Sequence, residues 1–65
     1  MKLLLNGAPV EASVTTLAEL LEAQGFGGAK VATAVNGNFV PAAMRAGYAL
    51  SDGDAVEVLA PMQGG

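Results

Sequence analysis

The chain contains no cysteine, no histidine and no tryptophan among its 65 residues. Disulfides are therefore excluded, and with them the usual way of stapling so short a chain. The common zinc-ligand sets lose their two most frequent members. Thiol and imidazole catalysis are gone as well, and no carboxylate pair is placed by spacing to replace them. No residue is assigned a catalytic or metal-binding role. Cationic residues are scarce: only Lys2, Lys30 and Arg45 stand against six acids, for a net charge of −3. A basic patch of the kind that binds nucleic acid cannot be built from them. No apolar run approaches the roughly 20 residues of a membrane span. The opening Met1-Lys2-Leu3-Leu4-Leu5 breaks at Asn6-Gly7, before the apolar core of about 7–15 residues that a signal peptide needs. With no cysteine to oxidise, a cytoplasmic location is expected.

What remains is an aliphatic chain. Hydrophobic residues make up 52% and mean hydropathy is +0.47, but the only aromatics are Phe26, Phe39 and Tyr48. Leucine, valine and alanine must fill the interior. A chain of this length buries only about 60% of its unfolded surface. One domain is expected over residues 1–65, with 61–65 as a flexible tail.

Residues 1–6 read as a strand with Leu3 and Leu5 on one face and Lys2 and Leu4 on the other. Asn6-Gly7 is a hairpin turn, since a type I′ turn needs positive φ at both central residues. The return strand covers roughly 8–13. Pro9 lacks an N–H and places that strand at a sheet edge. Thr16-Leu17-Ala18-Glu19 spells a capping box. Leu17, Leu20 and Leu21 then follow at i, i+3 and i+4, the buried stripe of a helix ended by Gly25. Residues 31–35 form a buried strand, Asn36-Gly37-Asn38 a turn, and Phe39-Val40 a short strand stopped by Pro41. One helical turn fits residues 42–46. Ser51-Asp52-Gly53-Asp54 is a tight acidic turn, too short for the twelve-residue calcium loop of an EF-hand. The last strand sets Val56 and Val58 on one face and Ala55, Glu57 and Leu59 on the other. Leu3, Leu5, Leu17, Leu20, Leu21, Val56 and Val58 are the expected core. The strand after the helix is expected to return parallel to a neighbour. A mixed sheet with one helix on one face is an α+β layer arrangement, the β-grasp or ubiquitin-like fold.

Pro61-Met62-Gln63-Gly64-Gly65 follows the last strand. A glycine pair leaves a slim stalk, able to thread a narrow channel in a partner with Gln63 and Gly64 behind Gly65. A terminal carboxyl has an ordinary pKa of about 3.3–3.7, so at neutral pH it is an oxygen nucleophile able to attack a nucleotide phosphate. Leu4, Leu59 and Met62 are left on an exposed face, with Pro61 between the last two. Exposed apolar clusters mark protein interfaces, so these four are candidate docking residues.

Four segments together resemble the ThiS family of sulfur carriers of thiamine biosynthesis. They are the opening strand with Asn6-Gly7, Thr16-Leu17-Ala18-Glu19-Leu20-Leu21, and Ala34-Val35-Asn36-Gly37 leading to Phe39-Val40-Pro41. The fourth is Asp52 to Val58 running into Pro61-Met62-Gln63-Gly64-Gly65. The resemblance implies a carrier that is a co-substrate and not an enzyme. A ThiF-like adenylating enzyme would use ATP and Mg²⁺ to activate the Gly65 carboxylate. A cysteine desulfurase relay would supply sulfur, and a ThiG-like thiazole synthase would receive it from a Gly65 thiocarboxylate. The carrier itself would hold no permanent cofactor. The family often has an Arg directly after the Val-Pro pair; here Ala42 follows Pro41 and the nearest Arg is Arg45, so that contact is not carried over. The small subunit of molybdopterin synthase, another ubiquitin-like sulfur carrier or protein modifier, and a ubiquitin-like binding module with an inert tail remain the alternative readings.

Overall fold

A computed structural model of the chain describes residues 1–27 and 30–60. The Asn-Gly dipeptides organise its two hairpins. Asn6 and Gly7 have φ of 51° and 83°, and Asn36 and Gly37 repeat the pattern at 52° and 84°. Each joins two strands through a two-residue loop of the kind positive φ permits. The first hairpin pairs β1 (Lys2–Leu5) with β2 (Ala8–Glu11), and the second pairs β3 (Ala32–Val35) with β4 (Asn38–Val40), both antiparallel. Asn38 therefore opens a strand and is not the third residue of a turn.

Helix α1 (Leu17–Ala23) starts at the expected capping box. The Glu19 amide donates to Thr16 Oγ1, and the Thr16 amide donates to Glu19 Oε1, both at 3.3 Å. At the other end Gly25, with φ of 87°, turns the chain; its amide bonds the Glu22 carbonyl and the Phe26 amide bonds the Leu21 carbonyl. This is a Schellman ending. It folds Phe26 back against the core.

The expected helical turn after Pro41 is a 3₁₀ segment, Ala42–Gly47. β5 (Ala55–Leu59) then enters the middle of the sheet, giving the order β2-β1-β5-β3-β4. This order corrects one expectation. β3, the strand after the helix, is antiparallel to both its neighbours; the parallel pair is β1 with β5. The reason is that β5 occupies the slot beside β1. Pro9 does lie on an edge strand, opposite Leu4.

The core sits between one sheet face and α1. Leu3, Leu17, Leu20, Leu21, Val56 and Val58 are buried in it, as the periodicity requires. Ala12, Val35, Val40 and Leu50 join them, and so does Thr33. Leu5 is a second correction: it is half-buried at the margin of the core, packing beside it rather than filling it. Each buried leucine or valine contributes about 1.5–3 kcal/mol relative to exposure. The acidic turn is held by its own carboxylates. The Ser51 amide donates to Asp54 Oδ2 at 2.9 Å within the turn, and the Lys2 amide donates to Asp52 Oδ1 at 2.6 Å, which ties the turn to β1.

Candidate functional site: the open sheet face and the end of β5

The helix covers one sheet face and leaves the other open. Alternation along the strands assigns that open face. From β1 comes Leu4, beside Pro9 of β2 and Ala55 of β5. β5 adds Glu57 and Leu59, which lie opposite Ala34 and Ala32 of β3. Ala34 in turn faces Phe39 of β4. These are apolar apart from Glu57, and Lys2 paired with Glu11 adds a charged corner to the same face. Leu4 is 40% exposed, Leu59 64% and Phe39 69%.

Two of the expected docking residues are thus on one face, but not at one place. Leu4 stands level with Ala55 at the start of β5, and Leu59 is four residues further along. At about 3.3 Å per residue they are roughly 13 Å apart. Leu59 adjoins Ala60, where the described chain ends. Pro61, Met62, Gln63, Gly64 and Gly65 lie outside the described residues. Sequence reasoning missed Phe39, which belongs to the same face. Its alternation with buried Val40 was a usable signal, but which face counted depended on the strand order. Met44, 59% exposed on the 3₁₀ segment, was also missed.

β5 is clasped at both ends by the asparagines of the two turns. Asn6 acts as an extra strand residue: its Oδ1 accepts from the Val58 amide at 2.8 Å and its Nδ2 donates to the Val58 carbonyl at 3.2 Å. Asn36 Oδ1 accepts from the Ala55 amide at 3.0 Å, and its Nδ2 donates to Asp54. The strand that leads to the glycine pair is therefore fixed by side chains as well as by two ladders. Nothing in the dipeptide Asn-Gly announces this second role.

Arg45 takes a defined position too. Its Nε donates to Thr33 Oγ1 at 2.9 Å and its Nη2 to the Val31 carbonyl. The buried Thr33 hydroxyl in turn donates a hydrogen bond to the Val40 carbonyl at 2.8 Å. The 3₁₀ segment is thereby pinned to β3 and β4. Arg45 also lines an open groove of about 530 Å³ beside the end of β5. Val31, Ala32, Ala42, Leu59 and Ala60 line it with apolar atoms, together with Lys30.

Among the described residues no three His, Cys, Asp or Glu side chains are grouped to hold a metal. Among the same residues no helix is long and apolar enough to cross a membrane.

Comparison with known proteins agrees with this geometry. A search of curated proteins finds no match. Among solved structures, a thiamine biosynthesis protein (ThiS) from Geobacter metallireducens superposes with a TM-score of 0.85 at 33% identity, covering 100% of both chains. The family model described as "ThiS family" matches residues 3–65, nearly the full length. With a β-grasp sheet, an open apolar face and a match that runs through the glycine pair, the chain belongs to the ThiS family, the small sulfur carriers of thiamine biosynthesis.

Proposed function

We propose that the chain carries sulfur as a thiocarboxylate on Gly65 and donates it to thiazole formation. One observation carries the reading: the family match extends to Gly65 in a chain that has no cysteine. Sulfur cannot ride on a thiol here, which leaves the terminal acyl carbon.

The charging chemistry is three successive displacements. The Gly65 carboxylate oxygen attacks the α-phosphorus of ATP, and pyrophosphate leaves. ATP and Mg²⁺ are held by a ThiF-like adenylating partner. The terminal sulfur of a persulfide, loaded by a cysteine desulfurase relay, then attacks the acyl carbon and AMP leaves. A thiol cleaves the S–S bond of the resulting acyl disulfide, giving the thiocarboxylate and a disulfide. A ThiG-like thiazole synthase passes the sulfur to its acceptor, the acyl carbon takes an oxygen from the acceptor or from water in exchange, and the carboxylate is restored for another round. The chain is consumed and recharged, so it serves as a co-substrate. The cytoplasm supplies ATP and reduced thiols and is the compartment this cycle needs.

The chain's own contribution is positional. β5, clasped at Val58 and Ala55, directs the segment after Ala60 from a rigid base. A side chain on either terminal glycine would crowd the reacting carbonyl. Leu59, with Phe39 on the same face, supplies apolar area against which the adenylating enzyme seats. Pro61 and Met62 continue that contact, and Gln63 and Gly64 follow Gly65 into its channel. Leu4, on β1 level with the start of β5, serves as a secondary contact.

Intact-protein mass spectrometry tests the assignment, with ATP, Mg²⁺, the host adenylating enzyme and a sulfur source. Replacement of one oxygen by sulfur at Gly65 is the expected product. An adenylate that never takes up sulfur would move the reading to a protein modifier. No change with an enzyme active on another carrier would refute it.

A further inference from the structure

We propose that the groove beside the end of β5 is a resting site for the chain's own C-terminal segment, with Met62 seated on its floor. The inference goes beyond sulfur transfer and needs only the groove and the five residues that follow Ala60.

Three observations meet here. The first is place. Ala60 itself lines the groove, so residues 61–65 start at its edge. Five residues span at most about 17 Å when extended, and Met62 stands only two residues from Ala60. The second is chemistry. Val31, Ala32, Ala42 and Leu59 offer an aliphatic floor, and Met62 is the one large apolar side chain of the segment. An unbranched thioether fills irregular apolar hollows well. The third is charge. The chain has three cationic side chains, and two of them, Lys30 and Arg45, border this groove. Arg45 spends Nε and Nη2 on Thr33 and Val31, and among the described residues its Nη1 has no partner. A carboxylate at Gly65, as the proposed function has it, finds its complement there.

The ordering cost is small. Met62 reaches the floor once two residues are fixed, and the first is Pro61, whose φ is already restricted by its ring. Tethering keeps the segment at an effective concentration in the millimolar range. The groove therefore holds the tail until a partner offers more apolar area, and seating on the adenylating enzyme requires Met62 to leave.

Nuclear Overhauser measurements on the full chain test this without any partner enzyme. The Met62 methyl is expected to show contacts to the Val31 and Ala42 methyls, with intensities unchanged on tenfold dilution. Ala42→Glu, at an exposed position, fills the groove and gives Arg45 an acid three residues away. These contacts are expected to vanish in that variant while the shifts of α1 and β1 stay in place. Three results would overturn the proposal: free-peptide shifts for Met62 in the wild-type chain, contacts that fade on dilution and so come from a second copy, or contacts that persist in Ala42→Glu. Thiocarboxylate yield plays no part in this readout, so the outcome is separate from that of the sulfur-carrier test.

Discussion

Leu59→Asp separates docking from folding. Leu59 is 64% exposed, so only about a third of its side chain is removed from water in the folded chain. Full burial of a leucine is worth about 1.5–3 kcal/mol, which makes the transfer loss roughly 0.5–1 kcal/mol. Aspartate is a poor strand residue, on a scale that spans about 1 kcal/mol. Like charge at Glu57, two residues away on the same face, is opposed by Lys30 and Arg45 across the groove. The sum is a destabilisation of about 1–1.5 kcal/mol. A chain this size has roughly 3–10 kcal/mol of stability, so the variant stays folded. Its Tm is expected to fall by about 4–12 °C. Docking should suffer far more. A central apolar residue of an interface costs 2 kcal/mol or more when lost, about a 30-fold fall in affinity. The assay is kcat/KM for adenylation with the carrier as varied substrate, beside a urea melt of the same sample. A fall of about 30-fold with the folded fraction unchanged supports the docking face. If kcat/KM stays within threefold of wild type, Leu59 is a bystander and the face assignment fails.

The other expectations are shorter. Gly65→Ala, or deletion of Gly65, should abolish thiocarboxylate formation while leaving the melting curve within about 0.5 kcal/mol of wild type; normal mass-spectrometric yield would remove Gly65 from the chemistry. Asn6→Gly keeps positive φ in the turn but drops both bonds to Val58. It should cost about 1–2 kcal/mol in a urea melt and speed hydrogen exchange at the Val58 amide. Thr33→Val preserves shape but removes the hydroxyl between Arg45 and Val40. A loss of about 2 kcal/mol is expected after discounting the half-exposed guanidinium, or roughly 10 °C in Tm. A double-mutant cycle with Arg45→Met should show coupling, whereas strict additivity would mean that the clasp is idle.

How much of this was legible varies with the range of the interaction. The capping box, the leucine stripe, the glycine stop and both positive-φ asparagines are local features, carried by residues within four or five positions of one another. For these the residues alone determine the conformation, because the competing states differ by steric limits and single hydrogen bonds. Family membership was legible for the same reason, since its segments are short and ordered. The sulfur chemistry at Gly65 is what that resemblance implies, and it stands as the proposal to be tested. The neighbours of β3 were not legible. Slotting β5 beside β1 joins residues some fifty positions apart, as Asn6 with Val58 illustrates. Strand order is chosen by the sum of many weak burials that no local pattern records. Thr33 shows the consequence. In sequence it is a polar residue in a strand. In the fold it is buried, and its hydroxyl is tolerated there because Arg45 and the Val40 carbonyl satisfy it. Phe39 is the converse, an aromatic that pattern alone assigns to neither face until β4 is placed at the edge. The sequence by itself determined the helix, the two hairpins and the family, because each is written in short local patterns. The tertiary structure decided which face is open, what clasps β5 and where the groove lies, because those depend on contacts between segments that meet only when the chain has folded.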